Sequence, residues 1–168
     1  ATVGGFPLGA NRADVKADET RRAIDDGTDE IDMVVALGHL IGGDAAYVRR
    51  DIEAVSRATH GDGRGRILKV ILETAALTPE QIILGCRCAA EGEADFVKTS
   101  TGFHPAGGAT LEAVRLLHRH ASPLKVKASG GIRDLAALTA MLDAGASRIG
   151  TSSGVKIVQE AASAPPNA

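Results

Sequence analysis

The chain has no tryptophan, one tyrosine and three phenylalanines among 168 residues. That scarcity argues against nucleic-acid modules that stack bases on aromatic rings. It carries no surplus of one charge either. Its 19 Lys+Arg against 21 Asp+Glu leave −2, too little field to gather nucleic acid or an anionic membrane. No apolar run approaches the roughly 20 residues of a bilayer span, and no basic-then-apolar signal segment opens the sequence. The two cysteines, Cys86 and Cys88, lie two apart in a stretch that reads as helix, where i and i+2 point in different directions. They suit small buried hydrophobes in a reducing cytoplasm better than a disulfide or a zinc site. There is no dinucleotide-binding GxGxxG, P-loop, HExxH or GxSxG, and the five histidines show no ligand-like grouping. The expectation is a cytoplasmic protein with no cofactor, no metal, no nucleic-acid partner and no membrane partner.

What the sequence does have is glycine, 20 residues, roughly 12% against a usual ~7%. Its hydrophobic fraction of 44% is enough for a core. Six short β-branched windows recur, at residues 2–8, 30–36, 67–73, 95–101, 124–129 and 148–151. Most begin about 22–37 residues apart, the size of a unit that crosses back to a parallel neighbour. Helical signals fill the gaps. Thr78-Pro79-Glu80-Gln81 predicts a capped helix start, and Asp134 caps a helix ending before Gly145. Residues 13–26 and 44–59 read as amphipathic helices, the first with Lys16, Asp18, Glu19, Arg21 and Arg22 on its charged face. The alternation defines an α/β protein with a parallel sheet, either open and doubly wound or part of a barrel. A complete (β/α)₈ barrel takes ~250 residues and does not fit. Residues 1–160 are expected to form a single domain and 161–168 a flexible tail.

Asp32, Lys69, Glu73, Lys98, Lys125 and Lys127 interrupt otherwise apolar strands. A lone buried charge costs several kcal/mol, so each needs a partner, an exposed strand end or a function. Lys98 is the most informative, being late in its strand and followed by Thr99-Ser100-Thr101-Gly102. Strand carboxyl ends line the active sites of parallel α/β folds. A lysine there, facing Lys127, is expected to lose its proton more easily through desolvation and like charge. Such an amine attacks carbonyl carbon, and Asp32 could shuttle the protons. Lysine contacts to a bound phosphate and structural ion pairs remain alternatives. Three consecutive strand ends also lead into glycine turns, at residues 100–103, 129–132 and 150–154. Turns of this kind aim backbone N–H groups at an anion. His104 is the only histidine near these loops.

The segments Phe96-Val97-Lys98-Thr99-Ser100-Thr101-Gly102-Phe103 and Val126-Lys127-Ala128-Ser129-Gly130-Gly131-Ile132-Arg133 resemble the deoxyribose-phosphate aldolase family. Ordered matches at residues 3–9, 30–34, 68–74 and 148–154 extend the resemblance along the chain. The resemblance implies a TIM (β/α)₈ barrel and a metal-free class I aldolase. Its substrate would be a small phosphosugar, 2-deoxy-D-ribose 5-phosphate, cleaved reversibly to acetaldehyde and D-glyceraldehyde 3-phosphate. It further implies Lys98 as the Schiff-base lysine, Lys127 as the lysine tuning it, and Asp32 as proton donor and acceptor. Gly102, Gly130, Gly131, Ser152 and Ser153 would hold the substrate phosphate. The family's barrel has a helix and two strands before the segment matching residues 2–9. The six windows here would therefore be strands three to eight, with roughly 60–70 further residues expected upstream. A homo-oligomer, dimer or tetramer, is expected. The alternative is a truncated inactive relative that only binds phosphosugar.

Overall fold

Successive residues of a strand face opposite sides of a sheet, so two chemistries can be written into one strand. The computed structural model describes residues 1–163 and shows this division throughout. Six strands, β1 (Thr2–Gly4), β2 (Glu30–Val34), β3 (Ile67–Ile71), β4 (Phe96–Lys98), β5 (Lys125–Ser129) and β6 (Arg148–Gly150), pair in sequence order, all parallel. Between them run α1 (Ala13–Asp25), α2 (Leu37–Ile41), α3 (Ala45–His60), α4 (Pro79–Glu91), α5 (Leu111–His120) and α6 (Leu135–Asp143), with α7 (Gly154–Ser163) last.

One set of alternate residues, including Ile31, Met33, Leu68, Val70, Val97 and Val126, packs with Ile52, Val55, Cys86 and Leu117 from the helices in one apolar core. At about 1.5–3 kcal/mol per fully buried aliphatic chain, this layer drives folding. The other set carries Glu30, Asp32, Lys69, Lys98, Lys127 and Arg148. Register fixes their neighbours: Asp32 lies beside Lys69, Lys98 beside Lys127, and Lys127 beside Arg148.

Local signals hold where the chemistry is specific. Thr78 and Gln81 form the reciprocal capping box with proline in the first turn, and Asp134 caps α6 by accepting from Ala137 N. The predicted strands all exist; β5 ends at Ser129 as expected, and the other five end earlier because the chain turns as soon as it reaches the carboxyl rim. β1 stops at Gly4 rather than residue 8, and β4 at Lys98 rather than 101. The expected tail begins too early: α7 continues through Ser163, and 164–168 lie outside the described residues.

Lys16 contradicts its assignment to an exposed face. It is completely buried, donates to Asp51 Oδ2 at 2.7 Å and to the Val34 carbonyl at 2.9 Å, and so ties α1 to α3 and to the end of β2. Asp51 Oδ2 also accepts from Ala36 N at 3.0 Å. Burial pushes the lysine down and the aspartate up, and their mutual attraction opposes both. Removing one partner of such a pair leaves a buried uncompensated charge, at a cost of about 3–5 kcal/mol. Helical spacing could not disclose this, since the partner lies 35 residues away.

Candidate active site

Three of the six anomalous strand charges, Lys69, Lys98 and Lys127, converge on a fourth, the Asp32 carboxylate. Asp32 Oδ2 accepts from Lys98 Nζ at 2.8 Å and from Lys127 Nζ at 2.6 Å, while Oδ1 accepts from Lys69 Nζ at 2.8 Å. Asp32 and Lys98 are buried, Lys69 is fully enclosed, and Lys127 is half-buried. Burial alone would push the Asp32 carboxyl up. The Lys98 charge and the hydrogen bonds from Lys127, Lys69 and Lys98 outweigh it and hold the group far below the usual carboxylate range. Asp32 is therefore an anion at any ordinary pH. Burial pushes the Lys127 ammonium down, and the Lys98 and Lys69 charges act the same way against the pull of Asp32.

Glu73 and Lys125 do not join this cluster. Glu73 lies past the end of β3 with φ +60°, in the left-handed region that costs a non-glycine residue roughly 1–2 kcal/mol. There its carboxylate accepts from Thr101 N at 3.2 Å and from the Thr101 hydroxyl, fixing the loop after β4. Lys125 is exposed, with its ammonium over the Phe96 ring, 5.8 Å from the centroid. Glu73 stands apart from the other strand charges because its strand has already ended at Ile71.

Beside the lysines opens a cavity of about 460 Å³, lined by Lys98, Lys127 and the loops after β4, β5 and β6. Gly102, Gly130, Gly131 and Ser152 are in its wall. Ser153 is not: its N–H donates to Thr151 Oγ1 at 2.9 Å at the start of α7. Among the described residues, the backbone N–H groups of Gly131 and Ser152 have no protein acceptor. Gly130, at φ +93°, could not be another residue without strain, and a Cβ there would stand 3.0 Å from Gly108 Cα. Gly150 leaves room for the lysine arm, since its Cβ would meet Lys127 Cε at 3.2 Å. Thr99 and Ser129 lock the two strand ends together through reciprocal hydroxyl and backbone bonds of 3.0 Å.

Sequence reasoning missed Arg133 as part of the wall and Phe103 at the mouth, where its ring meets Phe6 edge-on at 5.4 Å. It also gave no role to Lys69, Glu30 and Arg148, which continue the charged row below Asp32. Arg133 could have been found from its place directly after the Gly130-Gly131-Ile132 turn. His104 serves its own loop, with Nδ1 accepting from Ala106 N at 3.2 Å.

A parallel β/α sheet with paired lysines, one buried anion and a glycine-walled cavity at the carboxyl rim is the arrangement of a β/α-barrel enzyme that works on carbonyl compounds. Residues 5–160 match the family described as DeoC/LacD family aldolase, and the chain belongs to that family. It is 53% identical to a deoxyribose-phosphate aldolase of Thermococcus gammatolerans over 165 residues, which is 98% of this chain and 72% of the relative. It is 54% identical to that of Kocuria rhizophila over 153 residues, 90% of this chain and 69% of the relative. A tetrameric deoxyribose phosphate aldolase structure from Aeropyrum pernix superposes with a TM-score of 0.86 at 34% identity, covering 96% of this chain and 67% of that one. The open six-stranded sheet thus follows the strand order of a TIM-barrel aldolase, and the alternative of a doubly wound sheet is set aside. No helix among the described residues is long and apolar enough to cross a membrane.

Proposed function

We propose that the protein cleaves 2-deoxy-D-ribose 5-phosphate reversibly to acetaldehyde and D-glyceraldehyde 3-phosphate, through a Schiff base on Lys98. The observation that carries this reading is the shared carboxylate: Lys98 and Lys127 both donate to Asp32 Oδ2 at the edge of the cavity. Lys98 is assigned as the nucleophile: it ends β4 at the cavity wall and shares Asp32 Oδ2 with Lys127. Its unprotonated amine adds to C1 of the open-chain aldehyde, and loss of water from the carbinolamine gives the iminium. Removal of the C3 hydroxyl proton then breaks the C2–C3 bond, and the electron pair moves into the iminium to leave an enamine. Protonation at C2 and hydrolysis release acetaldehyde and free the lysine. Asp32 and Lys127 lie where they can pass these protons, the first as an anion and the second as an ammonium with weakened hold on its proton.

The phosphate is assigned to the far wall, where Gly102, Gly130, Gly131 and Ser152 offer backbone N–H groups and Arg133 adds a charge. Ser153 supports that turn from behind. Holding the phosphate there presents C1 to Lys98 without a search through orientations. Ser152→Glu introduces a carboxylate at an exposed position of this wall. It is expected to lower the preference of kcat/KM for 2-deoxyribose 5-phosphate over 2-deoxyribose by roughly 10–100-fold, the value of one charge-assisted contact. An unchanged ratio places the phosphate elsewhere, and no cleavage of either sugar by the parent protein rejects the activity.

The protein is further inferred to be a homo-oligomer, dimer or tetramer, supported by the tetrameric Aeropyrum pernix relative. Exposed Val155 and Val158 on α7 are consistent with a covered surface. A monomeric mass by light scattering at micromolar concentration contradicts it.

A further inference from the structure

Beneath Asp32 lies a row of charges that no step of the reaction above uses. Lys69 Nζ donates to Asp32 Oδ1 at 2.8 Å and contacts Glu30 Oε2 at 2.6 Å, and Arg148 meets the same Glu30 oxygen at 2.6 Å. Lys69 is fully enclosed, so no substrate reaches it. We propose that Lys69 is a positioning residue of the aldol reaction: it holds Oδ1 of Asp32, leaves Oδ2 to the two working lysines, and draws off part of the carboxylate's charge, to a degree set by Glu30. The proposal rests on the Schiff-base reading of Lys98.

The argument is one of charge and geometry. Among the described residues, Lys69, Lys98, Lys127 and Arg148 form ion pairs with Asp32 and Glu30 alone, so the cluster holds four cations against two carboxylates. Lys69 contacts Glu30 and Asp32 of β2, and through these two carboxylates it is joined to Lys98 of β4, Lys127 of β5 and Arg148 of β6. Lys125 of β5 lies over the Phe96 ring beside them. A surplus of positive charge favours loss of one proton from an amine in the cluster. Asp32 opposes that loss, and by engaging its other oxygen Lys69 weakens the opposition. Glu30 in turn offsets Lys69, while Lys69 and Arg148 hold the Glu30 carboxyl below its ordinary range. The two residues should therefore act on Lys98 with opposite sign. A purely architectural pair would not, since breaking it from either side would only loosen the strands.

The test compares the pH dependence of imine formation in Lys69→Met and Glu30→Gln. Each variant is incubated with acetaldehyde, reduced with cyanoborohydride at a series of pH values, and assayed for the adduct on Lys98 by peptide mass. In Lys69→Met the full charge of Asp32 falls on the two lysines, and the pH of half-maximal trapping should rise by about one unit. In Glu30→Gln the charges of Lys69 and Arg148 are less compensated, and the midpoint should fall. Midpoints that stay with the parent, or that move together in one direction, overturn the proposal. If Lys69→Met does not fold, Glu30→Gln decides alone: its side chain is partly exposed, and an unmoved or raised midpoint refutes the role. Absence of any Lys98 adduct in the parent protein rejects the Schiff-base reading itself, a different outcome.

Discussion

Lys98→Ala is expected to abolish turnover, with kcat falling on the order of 10⁶-fold, the scale seen when a covalent nucleophile is removed. No other amine can replace it. Lys69 is sealed beneath Asp32, and Lys127 stands one strand over with its ammonium held on Asp32 Oδ2. The loss should be one of chemistry rather than of folding. Asp32 keeps Lys69 on Oδ1 and Lys127 on Oδ2 after the substitution, so the buried anion is never left unpaired. Steady-state cleavage of 2-deoxyribose 5-phosphate, alongside circular dichroism of the variant, separates the two. Residual activity near the parent level would transfer the nucleophile elsewhere.

Lys127→Leu should instead lower kcat by about 10²–10⁴-fold, the usual worth of a positioned proton-transfer group. It should also move the rising limb of the pH–rate profile. The direction follows from charge. At present the Lys98 ammonium shares Oδ2 with a second cation, so losing its proton relieves repulsion while only part of the carboxylate's attraction is forfeited. Leucine removes the repulsion and gives Lys98 that oxygen alone. The unprotonated amine then forms only at higher pH, and the rising limb shifts upward. A profile that keeps its position while kcat falls would mean that Lys127 transfers protons without tuning its neighbour.

The sheet was legible because each strand contains a run of β-branched residues bounded by turn chemistry, and the caps at Thr78 and Asp134 were legible because they depend on neighbours three residues away. Asp32, Lys98 and Lys127 stood out for a related reason: a charge in an apolar strand has no cheap structural explanation. The structure puts Asp32, Lys69, Lys98 and Lys127 on one side of the sheet. Glu73 leaves that row because its backbone turns left-handed just beyond the strand, a change that spacing cannot reveal. Lys125 and Lys127 read alike as charges in one strand, although one lies toward the amino end of β5 and the other toward the cavity. Long-range pairing was invisible altogether. Lys16 reads as solvent-facing until Asp51 is brought to it, and nothing in the sequence joins Glu30 to Arg148, 118 positions away. Arg133 carries no motif of its own, and its place at the rim follows from the glycine turn before it.

Lys98 as the carbon-bonding amine is the central claim, and trapping with one small aldehyde reaches it most directly. Acetaldehyde and cyanoborohydride, followed by peptide mass mapping, should leave a single N-ethyl lysine at Lys98 in the parent protein and none in Lys98→Ala. An adduct confined to Lys127 or scattered over exposed lysines such as Lys125 and Lys156, with Lys98 unmodified, would contradict it.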